Sequence, residues 1–201
     1  MRAIRSALAV TILAATTWTG TAAAQPTSTS TLTPTPPPGY TCNTVGRGTI
    51  CHAVFDIAVG PEITDVPCPG FDVYDTAAGR EDSTLYYNAD GDGTRKENHD
   101  LYSYGQWSNP LTGDVVDYSQ NNVFSYVLAA PGDFTSSILT VAGEIVVRDT
   151  TSTPVLIGAG RQVFNFDESE LISTTGRNDI IAGLYGGDTT AFDKVCAALS
   201  K

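Results

Sequence analysis

Thr49-Ile50-Cys51-His52-Ala53-Val54-Phe55-Asp56-Ile57-Ala58-Val59 is the stretch whose reading decides the fold. Cys51, Ala53, Phe55, Ile57 and Val59 share one face and His52, Val54 and Asp56 the other, which is the period of a half-buried strand. Gly60-Pro61 ends the run. Working outward, strand-like runs recur at Gly70–Thr76, Ser83–Asn88, Asn98–Trp107, Val115–Ala129, Ser136–Arg148, Pro154–Asp167 and Leu171–Thr174. Turn signals separate them: Asp90-Gly91-Asp92-Gly93, Asn109-Pro110-Leu111-Thr112-Gly113, Pro131-Gly132-Asp133 and the stretch from Thr150 to Pro154. About eight strands at this spacing predict an all-β antiparallel barrel, with a β-sandwich as the alternative. Long strands joined by short hairpins favour the barrel, because closure removes exposed edges.

One helix is expected, at the C-terminal end. Thr190-x-x-Asp193 resembles a capping box with Asp in place of Glu, after a flexible Gly186-Gly187 joint. Phe192, Val195, Cys196 and Leu199 then fall at helical spacing on one apolar face. Such a helix lies against the barrel or plugs one end of it.

The 201 residues suit one domain, and 11 Lys+Arg against 22 Asp+Glu give a formal net charge of −11. That balance excludes a basic nucleic-acid binder, which needs a positive surface for phosphate contacts. Residues 1–24 read as a signal peptide: Arg2 and Arg5 form a positive start, Ala7 to Ala15 a short apolar run, and Ala22-Ala23-Ala24 a small-residue cleavage site before Gln25. The apolar run falls short of the ~20 residues that a spanning helix needs, and no later stretch qualifies as transmembrane. Cleavage removes both arginines, taking the net charge to −13 in a secreted, acidic chain. Residues 25–40, rich in Ser, Thr and Pro, read as a disordered linker that O-linked sugars could decorate, and residues 41–201 as one disulfide-stapled β domain.

Cys42, Cys51, Cys68 and Cys196 are an even set, which in an exported chain reads as two disulfides with three connectivities allowed. We expect Cys42–Cys51, closing a short loop through Gly46 and Gly48, and Cys68–Cys196, tying the terminal helix to the body. No Cys-x-x-Cys pair is present to suggest zinc instead.

Chemistry-bearing patterns are sparse. Asn88-Ala89-Asp90-Gly91-Asp92-Gly93 resembles the first half of a calcium loop, but the twelfth position is His99 rather than Glu and the flanks alternate as strands. A hairpin turn is the plainer reading. His52 and Asp56 share a strand face but stand about 13 Å apart by strand rise, too far for a general-base pair, and His99 reads likewise as a solvated strand residue. No nucleophile elbow, zinc-protease motif, P-loop or dinucleotide fingerprint occurs, and no cofactor is implied. Gly158-Ala159-Gly160-Arg161 sits inside a strand and reads as a bend or bulge. Two ligand-binding candidates remain. Glu144 and Arg161 form a polar anchor if they face inward, or a surface pair if outward. Tyr102, Tyr104 and Gln106 form a stripe on one face, either a binding surface or ordinary strand packing.

At Cys51-His52, Cys68-Pro69-Gly70, Asn109-Pro110-Leu111-Thr112-Gly113 and Val195-Cys196-Ala197-Ala198-Leu199, the chain resembles a group of uncharacterised secreted proteins common in actinobacteria. The similarity covers roughly residues 42 to 200. It implies a signal peptide and a β-rich domain, and carries no activity or catalytic residue. The Ser/Thr/Pro tract and the Asp-Gly-Asp-Gly turn stand outside it.

The reading that follows is a secreted barrel binding a small apolar or amphipathic molecule, or a cell-envelope partner, without catalysis. The alternatives are a barrel-type cyclase or isomerase and a structural cell-envelope module.

Overall fold

A computed structural model describes residues 25–26, 28–165, 170–180 and 189–201. The proposed signal peptide, residues 1–24, lies outside the described residues, as does the Gly186-Gly187 joint. The chain forms one antiparallel sheet in sequence order: β1 (Gln25–Pro26), β2 (Thr41–Val45), β3 (Gly48–Ile63), β4 (Tyr74–Tyr87), β5 (Gly93–Ser108), β6 (Val115–Ala130), β7 (Asp133–Arg148), β8 (Pro154–Phe164) and β9 (Leu171–Asn178). A 3-10 turn (Thr189–Phe192) leads into the short helix α1 (Asp193–Ala198). The all-β class with a C-terminal helix therefore holds. Among the described residues no ladder joins β9 back to β1.

β3 alternates as the sequence dictates, with Cys51 and Ala53 buried, His52, Val54 and Asp56 exposed. One expectation is corrected. Gly70–Thr76 and Ser83–Asn88 are not two strands; β4 runs unbroken from Tyr74 to Tyr87 through Ala77-Ala78-Gly79-Arg80-Glu81-Asp82. These residues have weak β propensity, but β3 and β5 pair with them on both sides, and that pairing overrides propensity.

Sixteen-residue strands span about 53 Å, and each end of the sheet has its own core. At one end, Ala77 of β4, Trp107 of β5, Val116 and Tyr118 of β6, Val147 of β7 and Leu156 of β8 pack with Phe192, Val195, Ala198 and Leu199 of the terminal segment. Side chains from five strands thus share one core with the terminal helix. The helix face is the expected one, although Phe192 holds the N-cap position without a side-chain cap bond. Cys68–Cys196 pins the helix to the β3–β4 loop, and Asn109 Nδ2 donates to Leu199 O at 2.9 Å from the β5–β6 turn.

At the other end Leu32, Cys42, Cys51, Leu85 and Tyr87 form a second cluster. Cys42 and Cys51 are direct cross-strand partners and are bonded, so both expected disulfides are present. Leu32 comes from the tract expected to be a disordered linker. Residues 28–40 instead pack on the sheet. Thr33 N donates to Gly91 O and Gly93 N to Thr33 O, both at 2.8 Å, while Tyr87 donates its hydroxyl to Pro34 O at 2.9 Å. One leucine supplies the apolar anchor, and carbonyls along the Pro-rich backbone supply the acceptors.

Between the two ends the sheet carries a row of glycines. Gly143, Gly160 and Gly176 lie in register on β7, β8 and β9, with φ of +149°, +145° and +94°. A Cβ on Gly143 or Gly160 would stand 2.1 Å from Asn121 O or Thr175 O. Glycines aligned across neighbouring strands let a long sheet crease. The ladders run through Gly158 to Arg161 without a register shift, so the sequence reading of a bulge there is not met.

Candidate functional site

The face that carries Cys51, Ala53 and Phe55 continues across the sheet through Leu85, Ser83 and Glu81 on β4, then Asn98, Asp100 and Tyr102 on β5. It passes on to Tyr118, Gln120, Asn122, Phe124 and Tyr126 on β6. Its ends are apolar, and its middle is a band of amides, hydroxyls and carboxyls. Register fixes this: each β6 residue of the series faces its β5 partner, and a two-residue period keeps the whole series on one side.

Tyr102 and Tyr104 do not share a face. The β5–β6 register slips between Tyr102 and Gly105, and this bulge reverses the alternation. Tyr102 packs edge-on against Tyr118 with ring centroids 6.4 Å apart, while Tyr104 is 46% exposed on the opposite side. The expected Tyr102–Tyr104–Gln106 stripe is thus broken. Glu144 and Arg161 also fall on the opposite face, both exposed, with Glu144 across from Ala159 and Arg161 across from Ala142. Arg161 donates to Thr140 Oγ1 at 3.5 Å. They are surface groups and not an inward anchor. His52 and Asp56 are exposed there too, and His99 Nε2 lies 2.7 Å from Asn121 Oδ1.

In the Asp90-Gly91-Asp92-Gly93 turn, Asn88 Oδ1 accepts from both Asp90 N and Asp92 N at 2.9 Å. Thr33 pairs with Asp92 alongside. The turn docks the N-terminal tract. Among the described residues no group of three His, Cys, Asp or Glu side chains is placed to hold a metal ion.

Two features of the inner face are chemically distinctive. The first is Glu81 opposite Asp100, like charges on directly paired residues. Burial, then the Glu81 carboxylate and its hydrogen bond, push the Asp100 carboxyl up to about 6, against the opposing pull of His99 and Lys96. Asp100 Oδ1 is buried without a partner among the described residues. Beside the pair, Tyr40 lies 2.5 Å from Ser83 Oγ, which donates to Asn98 Oδ1 at 2.7 Å. Further along, Tyr118 bonds both oxygens of Asp75 at 3.1 Å. Burial raises the Tyr102 hydroxyl pKa, and the surrounding carboxylates of Asp100, Asp75, Glu81 and Glu62 raise it further.

The second feature is a cavity of about 180 Å³ between β6, β7 and β8. Gln120, Asn122 and Gln162 bring primary amides to it, Val141, Ile145 and Ile180 bring apolar walls, and Gly143 and Gly158 leave it room. Asn122 is the cross-strand partner of Asp100, so the cavity and the carboxyl pair adjoin. Sequence reasoning missed both. Glu81 lay between two strand-like runs, and the amides of β6 lay within a strand-like run without a pattern that singled them out. The alternation Tyr118-Gln120-Asn122-Phe124-Tyr126, with amides between aromatics on one face, was the signal available.

Among the described residues no helix is long and apolar enough to cross a membrane. Comparison with protein-family models, with curated proteins and with solved structures finds no match to this chain.

Proposed function

We propose that this protein is a secreted, disulfide-stapled binding protein whose sheet closes into a barrel-like trough around a small-molecule site. The cavity between β6, β7 and β8 carries the proposal: it is concave, mostly apolar, and fitted with a few convergent amides, which is the make-up of a small-ligand pocket. The two disulfides, the Arg-flanked N-terminal apolar segment and the resemblance to exported actinobacterial proteins support export. The core shared by five strands and α1 at one end, and the docked N-terminal tract at the other, support a trough capped at both ends. A thermal-shift screen of compact organic molecules tests the site. Binders should raise the Tm of the wild type and not of Gly158→Ala, whose added methyl narrows the cavity. Binders that stabilise both proteins equally would place the site elsewhere.

The Glu81–Asp100 pair favours a second reading, acid–base chemistry of the cyclase or isomerase type. A carboxyl with a pKa of about 6 beside a carboxylate can deliver and recover a proton near neutral pH. If the trough is catalytic, Asp100→Asn abolishes turnover of a cavity ligand while leaving its affinity unchanged. If it is a binding site alone, the wild type returns the ligand chemically intact.

A further inference from the structure

We infer that the cavity selects a compact, uncharged molecule bearing one or two hydrogen-bonding oxygens or nitrogens, such as a cyclic alcohol, lactone or lactam, over hydrocarbons and anions. This rests on reading the cavity as a ligand site.

Its size sets the first limit. About 180 Å³ equals roughly six water volumes at ~30 Å³ each, and engineered apolar cavities of about 150 Å³ hold benzene. A single ring fits and a long acyl chain does not. The lining sets the second limit. Gln120 and Asn122 each offer a carbonyl and an amino group, and neither side chain hydrogen-bonds another described residue. Both are only partly exposed, so a hydrocarbon covering them would leave polar groups unsatisfied. A molecule with a hydroxyl or amide edge satisfies them, and its ring then packs on Val141, Ile145 and Ile180. Charge sets the third limit. Among the described residues none that lines the cavity is ionisable, and the neighbouring Asp100 and Glu81 disfavour a carboxylate or phosphate. Among the described residues the lining itself offers a cation no counter-charge.

The room for such a ring depends on residue 158. Gly158 has ordinary backbone geometry, so alanine is tolerated locally. Its Cβ would nevertheless stand 3.2 Å from Ile145 Cγ2 and 3.2 Å from Ile180 Cδ1, two of the cavity walls.

The test is calorimetric titration of the full chain with four probes of similar size: cyclohexanol, ε-caprolactam, benzene and cyclohexanecarboxylate. The lactam or the alcohol should bind more tightly than benzene and the carboxylate by about tenfold, the worth of one well-made hydrogen bond. Gln120→Met and Asn122→Leu, close in shape but apolar, should each cut that preference by about tenfold and leave benzene binding unchanged or improved. Gly158→Ala should weaken every probe. Each variant's circular dichroism and melting curve are recorded, and a variant that does not fold is replaced by Gln120→Glu, whose charge should disfavour the carboxylate further. Benzene binding as well as or better than the lactam and the alcohol would overturn the inference and leave the cavity an apolar ligand site. No binding of any probe would overturn the ligand-site reading itself.

Discussion

The ring of Tyr118 occupies the space above Gly105, its cross-strand partner on β5: a Cβ at residue 105 would stand 2.3 Å from Tyr118 Cζ. An aromatic ring covering a glycine across a strand pair fills the gap the glycine leaves, and this one also reaches Asp75 with its hydroxyl and packs on Trp107 at 5.5 Å. Gly105→Ala should displace the ring and cost about 1–3 kcal/mol in urea unfolding, as overpacked cores do. Tyr118→Phe should cost about 1 kcal/mol through the lost hydrogen bonds. Because the hydroxyl opposes the effect of burial on Asp75, the same variant should raise the Asp75 pKa further, readable by NMR titration.

The aligned glycines of β7, β8 and β9 give a sharper contrast. Gly160→Ala places a methyl 2.1 Å from the Thr175 carbonyl at a φ of +145°, and should cost more than about 4 kcal/mol or prevent folding. Gly70→Ala, also at positive φ but with nothing within 4 Å, should cost only about 1–2 kcal/mol. Paired denaturation curves decide it. Equal losses would mean that backbone conformation alone, not close strand approach, requires glycine at residue 160.

Stability should fall as pH rises through about 6. The Asp100 carboxyl has a folded-state pKa above its ordinary value, so the native state holds more protons than the unfolded chain between about pH 4 and 6. Its stabilising contribution is therefore complete below about pH 4 and lost as pH climbs past the folded value. Asp100 is only partly buried, and solvent screening cuts the effect to about 1 kcal/mol. Asp100→Asn should flatten this part of the profile and stabilise the protein at pH 7.5, as followed by Tm between pH 4.5 and 7.5.

The two disulfides close loops of very different size. Cys68–Cys196 spans 128 residues and Cys42–Cys51 spans 9. In the chain-entropy account their removal costs about 5 and about 2.5 kcal/mol respectively. Paired Cys→Ala variants compared by guanidinium unfolding should therefore rank in that order, and the reverse order would show that the short loop's contribution is not entropic.

What the sequence could show follows from periodicity. Alternation at residues 49–59 gave β3 its faces, and the spacing of Phe192, Val195 and Leu199 gave α1 its buried side. Long-range pairing left no such trace. The bulge at Tyr102–Gly105 exists because β5 must match β6, and nothing local to Tyr102 or Tyr104 announces the change of face. The N-terminal tract looked unable to pack because Ser, Thr and Pro dominate it and leave no apolar face to bury. It docks because the sheet end offers a pocket for Leu32 and backbone partners at Gly91 and Gly93. The cavity escaped notice for a related reason. Gln120, Asn122 and Gln162 come from two strands with β7 between them, and only the register that brings them together gives their amides a shared purpose.

Native mass spectrometry of protein purified from its own host tests the central claim most directly. A small neutral molecule should accompany the wild-type polypeptide under gentle ionisation, leave on collisional activation, and be absent from Gly158→Ala. Bare polypeptide mass for both proteins, with no retained small molecule, would contradict the assignment of the β6–β8 cavity as a ligand site.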